Sequence, residues 1–289
     1  MTWWEAIVLG IVQGLTEFLP VSSSAHLRVV GALMLDGQDV GATFTAITQI
    51  GTELAVLIYF RHTIAQVVRR WWATLPEIRA GGRWRNPLRL ADPDARMGWL
   101  IIVGSVPIVV LGVLFQDAIE GALRDLRFTV FTLAFFALLL WAADRWGRQV
   151  KSLKVLDGRD GIAFGLAQAM ALIPGVSRSG GTITAGLAMG YTREAAARYS
   201  FLLAVPAVLG SGFYQLAKAI GGHSDGGIVV GGGATLLATA AAFVVGFVVI
   251  IGFLKIVSSR GYLPFVIYRL VLAGVLAILL LTGTLSPTV

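Results

Sequence analysis

Long apolar runs alternate with short polar connections along this chain, and the runs are of membrane-spanning length. Six read as full spans: roughly 40–60, 98–116, 128–143, 195–217, 228–254 and 265–282. An α-helix needs roughly 20 apolar residues to cross hydrocarbon. Two further regions are apolar but broken. Residues 1–36 and 160–190 carry Pro, Gly, Ser and ionisable groups at their centres, and neither half of either region is long enough to cross alone. Two half-length helices joined by a break predict a re-entrant hairpin that enters and leaves by one face. The predicted fold is an all-α polytopic membrane protein of about six full transmembrane helices plus two re-entrant helical hairpins.

Composition agrees with that pattern. Of the 289 residues 56% are hydrophobic and 13% charged, where soluble domains are about a quarter charged. There are no cysteines, which excludes disulfides, thiolate metal sites and a cysteine nucleophile. The net charge of +7 is concentrated between the apolar runs, which is how loop charge orients a membrane protein; nucleic acid is not the expected partner. No cleavable signal is expected, because the N-terminus lacks a basic segment and Glu5 and Glu17 interrupt the first apolar run. Trp3, Trp4, Trp71, Trp72, Trp99, Trp141 and Trp146 largely flank spans, as an interfacial belt does.

The basic residues also predict the orientation. Connection 61–97 carries Arg61, Arg69, Arg70, Arg79, Arg83, Arg85, Arg89 and Arg96; 144–159 carries Arg145, Arg148, Lys151, Lys154 and Arg159; Lys255 and Arg260 mark a third. These three are expected to be cytoplasmic, and the connections near 117–127 and 218–227 external. Hairpin 1–36 then enters from outside, hairpin 160–190 from the cytoplasm, and both termini lie outside.

That arrangement predicts an inverted repeat. Sliding "GIVQGLTEFLPVSSS" (10–24) against "GLAQAMALIPGVSRS" (165–179) at an offset of 155 pairs Gly10 with Gly165, Gln13 with Gln168, Val21 with Val176, Ser22 with Ser177 and Ser24 with Ser179. The matches fall on the two segments already singled out as broken. Two inverted halves, about 1–150 and 155–289, are therefore expected, with their hairpin tips meeting near mid-membrane in one integral domain.

The polar residues in those tips carry the chemistry. An ionisable group at bilayer depth costs at least about 2.5–3.5 kcal/mol, and its default reading is a functional site. The first cluster supplies Gln13, Glu17, Ser22, Ser23, Ser24 and His26. Gln13 and Glu17 share a helix face; Pro20 ends that helix; a serine can cap the next. Glu17 and His26 are expected to converge with a serine between them. The second cluster, "PGVSRSGGT" (174–182), supplies Ser177, Arg178, Ser179 and Thr182 as donors to a phosphate. A carboxylate, an imidazole, hydroxyls, a guanidinium and free backbone N–H groups fit phosphoryl transfer more fully than any other reaction class.

Ser24 and Gly180 serve equally well as packing residues; for His26 a helix bridge, and for Arg178 a purely structural pairing with Glu17, are the lesser alternatives. Glu53, inside a predicted span, is as apt to hydrogen-bond between helices as to join the site. Arg269 is expected to snorkel at a cytoplasmic helix end. His62 and His223 fall in or near connections. The rival functional class is a transporter or flippase for polyprenyl phosphate, since broken helices in inverted repeats also serve alternating access.

"QGLTEFLPVSSSAH" and "PGVSRSGGT" resemble the two signature motifs of the undecaprenyl-diphosphate phosphatases, also called the bacitracin-resistance family, and the likeness extends to "FLLAVPAVLG" (201–210) and "IYR" (267–269). The resemblance implies an integral enzyme of interlocked inverted repeats in the bacterial plasma membrane, with its site open to the outer face. It implies hydrolysis of undecaprenyl diphosphate to the monophosphate and inorganic phosphate, recycling the lipid carrier for cell-wall synthesis and opposing bacitracin. A homodimer is a further expectation. Carried over, the acidic motif falls on Gln13 and Glu17, the serine and histidine on Ser23 and His26, and the arginine on Arg178. The resemblance also implies Mg²⁺ or Ca²⁺, with Glu17 and Gln13 as candidate ligands. The first acidic position accepts Glu or Gln; here it is Gln13, an amide that cannot act as a base. Either Ser23 attacks phosphorus, with His26 and Glu17 as base and orienting group, or Glu17 or His26 activates water directly.

Overall fold

The computed structural model describes residues 1–35, 38, 40–79, 86–115, 119, 125–221 and 231–287. Among them the chain is helical, with α1 (Trp3–Thr16), α2 (Ser23–Met34), α3 (Ala42–Tyr59), α4 (Arg61–Arg79), α5 (Pro93–Leu114), α6 (Leu126–Trp146), α7 (Gly158–Ala169), α8 (Arg178–Ala188), α9 (Arg193–Ile220), α10 (Gly232–Arg260) and α11 (Leu263–Leu281). Six of these, α3, α5, α6, α9, α10 and α11, are long and apolar enough to cross a membrane. They coincide with the six predicted runs. Their outer faces expose Val106, Val109, Val113, Phe131, Leu138, Val244 and Val248, a surface suited to lipid. The chain is a multi-pass membrane protein.

The sequence reading treats 61–97 as a connection, yet residues 61–79 form α4. Ile64, Val67, Val68 and Trp71 recur at helical spacing and line an apolar cavity of about 240 Å³ with Gly98, Ile101 and Ile102 of α5 and Leu202, Val205 and Pro206 of α9. The arginines between them mask that stripe from a hydropathy reading; an amphipathic helix needs one apolar face, not an apolar run. Gly82, Gly121, Arg83, Arg85 and His223, and most of the predicted external connections, lie outside the described residues.

Each broken region is a pair of short helices. α1 and α2 flank residues 17–22, and α7 and α8 flank residues 170–177. α1 packs chiefly on α10 and α7 on α5. Both approaches are close because glycine stands at the crossing. A Cβ at Gly10 would strike the Ala238 carbonyl, and one at Gly165 would meet the Gly104 backbone. Small residues at such crossings replace the hydrophobic drive that lipid cannot supply.

Arg269 corrects the expectation that it snorkels. It is 0% exposed. Its guanidinium donates to the carbonyls of Leu133, Pro20, Val176 and Gly175 at 2.8–3.2 Å. Pro20 belongs to the first turn and Gly175 and Val176 to the second, so one side chain satisfies carbonyls of both turns. Backbone outside a helix has no water to bond at this depth, and a five-donor fork is suited to supplying that need.

Candidate active site

The two turns meet at the carboxylate of Glu17. α1 ends at Thr16, and Glu17 follows as its C-cap, still in helical conformation. Gln13, one helical turn earlier, therefore reaches it, with Gln13 Nε2 donating to Glu17 Oε2 at 2.7 Å. Ser23 opens α2 and donates its hydroxyl to the same oxygen at 2.7 Å. Arg178 opens α8 and donates from Nη2 to Glu17 Oε1 at 2.7 Å. The first residue of each second arm thus bonds to one carboxylate. Gln49 of α3 adds a long contact, Nε2 to Glu17 Oε2 at 3.5 Å.

The N-terminal ends of α2 and α8 face this point, and their first-turn N–H groups and dipoles favour an anion there. Ser22 and Ser177 are the two N-caps. The Ser177 hydroxyl accepts from Gly180 N–H at 3.1 Å, whereas Ser22 makes no side-chain cap. Each lies 3.2 Å from the hydroxyl two residues on, Ser24 in the first turn and Ser179 in the second. Ser179 also crosses to the first turn, donating to Leu19 O at 3.0 Å. Ser23, Ser24 and Arg178 keep partial exposure, while Gln13, Glu17, Ser22 and Ser179 are buried. The open side of the site is therefore the side from which Ser23 and Arg178 are reached.

His26 is placed differently from the expectation that a serine separates it from Glu17. Its Nδ1 lies 2.7 Å from Ser22 O and its Nε2 2.6 Å from the hydroxyl of Tyr268. A carbonyl only accepts, so Nδ1 carries the hydrogen and Nε2 of the neutral ring accepts from Tyr268. The hydrogen bond of Ser23 goes to Glu17, not to His26. Thr182 is not brought to the site. It is 0% exposed, and its hydroxyl is engaged with Arg178 O at 2.8 Å and with the Ser200 hydroxyl at 2.5 Å. Four residues from Arg178 is one helical turn inward, which turns Thr182 toward α9.

Sequence reasoning missed Tyr268 and Gln49. Tyr268 stands beside Arg269 in the "IYR" segment, and nothing local marks it as a partner of His26 across 242 residues. Gln49 and Glu53 are spaced four apart in a span, a polar pair on one helix face that was the available signal. Glu53 is 0% exposed and lies 3.9 Å from Arg178 Nη2.

Oxygen donors here fit a hard cation. Gln13 Oε1 and both carboxylate oxygens of Glu53 are buried with no hydrogen-bond partner among the described residues. Mg²⁺ and Ca²⁺ take such oxygens and complete their shells with substrate and water. No group of three or more His, Cys, Asp or Glu is disposed for a metal among the described residues.

The sequence profile of the family described as "Bacitracin resistance protein BacA" matches residues 6–275. Undecaprenyl-diphosphatase 2 of Agrobacterium fabrum is 58% identical over 289 residues, covering 99% of this chain and 98% of that protein. The undecaprenyl-diphosphatase of Micrococcus luteus is 57% identical over 286 residues, covering 99% of this chain and 100% of the relative. That of Bifidobacterium adolescentis is 53% identical over 290 residues, covering 100% and 98%.

Proposed function

The chain belongs to the bacitracin resistance BacA family, and on that premise we propose that it hydrolyses undecaprenyl diphosphate to undecaprenyl phosphate and inorganic phosphate. It thereby recycles the lipid carrier of cell-wall synthesis and opposes bacitracin. The observation that carries this reading is the double hold on Glu17. A serine hydroxyl and a guanidinium, each the first residue of a helix, sit on its two oxygens at 2.7 Å. That is a nucleophile beside a base, next to a phosphate clamp.

In the first step Ser23 Oγ bonds to the terminal phosphorus while its proton passes to Glu17. The bond from that phosphorus to the bridging oxygen breaks, and its electron pair leaves with the lipid monophosphate. In the second step water attacks the phosphoserine, its proton passing to His26 Nε2 in place of the hydrogen bond from Tyr268 and from there to solvent. The Oγ–P bond breaks, and Ser23 recovers its proton from Glu17. Arg178 exchanges its bond to Glu17 for the phosphate oxygens, joined by Ser24 and the N–H groups opening α2 and α8. Ser22, Ser177 and Ser179 shape the two turns that present these donors. A bound divalent cation would supply positive charge to the diphosphate oxygens.

The site opens to the outer face of the bacterial plasma membrane in this reading, and the halves 1–150 and 155–289 are inverted-topology repeats whose hairpins, 1–36 and 160–190, enter from opposite faces. Three matched features support the repeat. Ser22 and Ser177 share a φ of 71°, their Ser–Ser pairs share a spacing of 3.2 Å, and Gly10 and Gly165 each stand at a tight helix crossing. The basic connections support the orientation.

Phosphate release by purified protein from undecaprenyl diphosphate tests the activity. Release that disappears in Ser23→Ala and Arg178→Ala is expected; substrate recovered intact from wild-type protein, with lipid moved across vesicles, would replace the phosphatase by a flippase.

A further inference from the structure

We propose that Glu53 is the second carboxylate of the active site, binding a divalent cation together with Glu17 and taking the position that Gln13 leaves without charge. The inference rests on the phosphatase reading and adds a ligand to it.

Formal charge argues first. Glu17 and Glu53 bring two negative charges and Arg178 one positive charge, with no other ion pair reaching these carboxylates among the described residues. The buried set is one negative charge in excess. Buried charge left uncompensated costs several kcal/mol, and a diphosphate would meet repulsion on entry. A divalent cation turns the excess positive, which favours a diphosphate.

Donor and acceptor arithmetic argues second. Glu17 is well supplied, taking hydrogen bonds from Gln13, Ser23 and Arg178. Glu53 takes none: both its oxygens are buried and without a donor, and the Arg178 guanidinium stands off at 3.9 Å. Gln13 spends its amide N–H on Glu17 and leaves Oε1 without a donor too. Three acceptor oxygens beside one carboxylate lack protons to accept, and a hard cation needs oxygens in that state.

Position argues third. Glu53 sits one turn after Gln49 on α3, and Gln49 touches Glu17. The same α3 face therefore meets the hairpin turns at both residues. A carboxylate placed there only to tie helices together would bond to a neighbouring helix, and this one does not.

The rival state is a Glu53 that carries a proton and works as a neutral group. Glu53→Gln separates the two, because an amide copies a protonated carboxyl in shape and charge. The probe is Mn²⁺ alone, titrated into purified wild-type and variant protein in nanodiscs, with free ion read by electron paramagnetic resonance and phosphate release assayed in parallel. Glu53→Gln is expected to weaken Mn²⁺ binding at least about tenfold, the lower end of what removing even an outer partner of a metal site costs. The double variant Gln13→Glu/Glu53→Gln returns the carboxylate from α1 and is expected to recover most of that affinity, which also guards against a fold defect in the single variant. Wild-type Mn²⁺ affinity in Glu53→Gln would overturn the proposal while phosphate release continues. Recovery failing in a double variant that unfolds at the wild-type temperature would overturn it as well. Absence of phosphate release from wild-type protein would instead sink the phosphatase reading.

Discussion

Ser22 and Ser177, 155 residues apart in the chain, turn through the same left-handed backbone angle, φ 71° in each. Both are the residue before the second arm of a broken helix pair. L-residues avoid that region at a cost of about 1–2 kcal/mol, so each turn holds strain at the point where Ser23 and Arg178 are aimed into the site.

Glycine removes the strain and a β-branched side chain deepens it. Ser22→Gly should leave the thermal midpoint in detergent unchanged or raised, and Ser22→Val should lower it. Alanine distinguishes the two turns. Ser177→Ala loses the cap on Gly180 N–H, worth about 1 kcal/mol, whereas Ser22→Ala loses none. Equal midpoints for the two alanine variants would contradict this account of the caps.

Arg178, which is partly exposed, and Arg269, which is buried, should fail in different ways. Arg178→Lys keeps charge but loses the planar fork; activity should fall at least about 10²-fold with the midpoint near wild type. Arg269→Lys cannot serve the four carbonyls that the guanidinium reaches. Losing two such charged hydrogen bonds costs about 3 kcal/mol or more, so activity and stability should fall together. A stable but inactive Arg269→Lys would show that Arg269 acts on substrate rather than on the turns.

A serine nucleophile leaves two marks. Substrate labelled on its terminal phosphate should transfer label to the peptide holding Ser22 to Ser24, most visibly in His26→Ala, where attack by water on the phosphoserine is slowed. Two in-line displacements also retain configuration at a chiral terminal phosphorus. Inversion would assign the attack to water, with Glu17 or His26 as its base.

Orientation can be read with single cysteines, because the chain has none of its own. Thr2→Cys should react with an impermeant reagent in intact cells, and Ser259→Cys, beside Lys255 and Arg260, should not. Both positions are exposed. The reverse pattern would invert the assignment of the hairpins.

Much of this protein can be read from the order of its residues alone. Six spans follow from length and hydropathy, because lipid allows few solutions to a long apolar run. The breaks near Pro20 and Pro174 follow from Pro, Gly and Ser clustered in the middle of apolar runs. The Gln13–Glu17 contact follows from 3.6 residues per turn, and the likeness of residues 10–24 to 165–179 marks the two turns as a pair. What a periodicity cannot say is which neighbour a helix face meets. Arg269 looked like a snorkelling residue because its own helix offers it no partner; its partners are carbonyls of three other segments. Thr182 looked like a phosphate donor until packing on α9 turned it inward. Glu53 and Tyr268 lie on helix faces whose meaning depends on Arg178 and His26, more than 100 residues away. Helical register is local and is written in the sequence, whereas the partner of a buried polar group is chosen when the helices pack. Only the tertiary structure therefore decided that Ser23 bonds to Glu17 and that His26 turns to Tyr268.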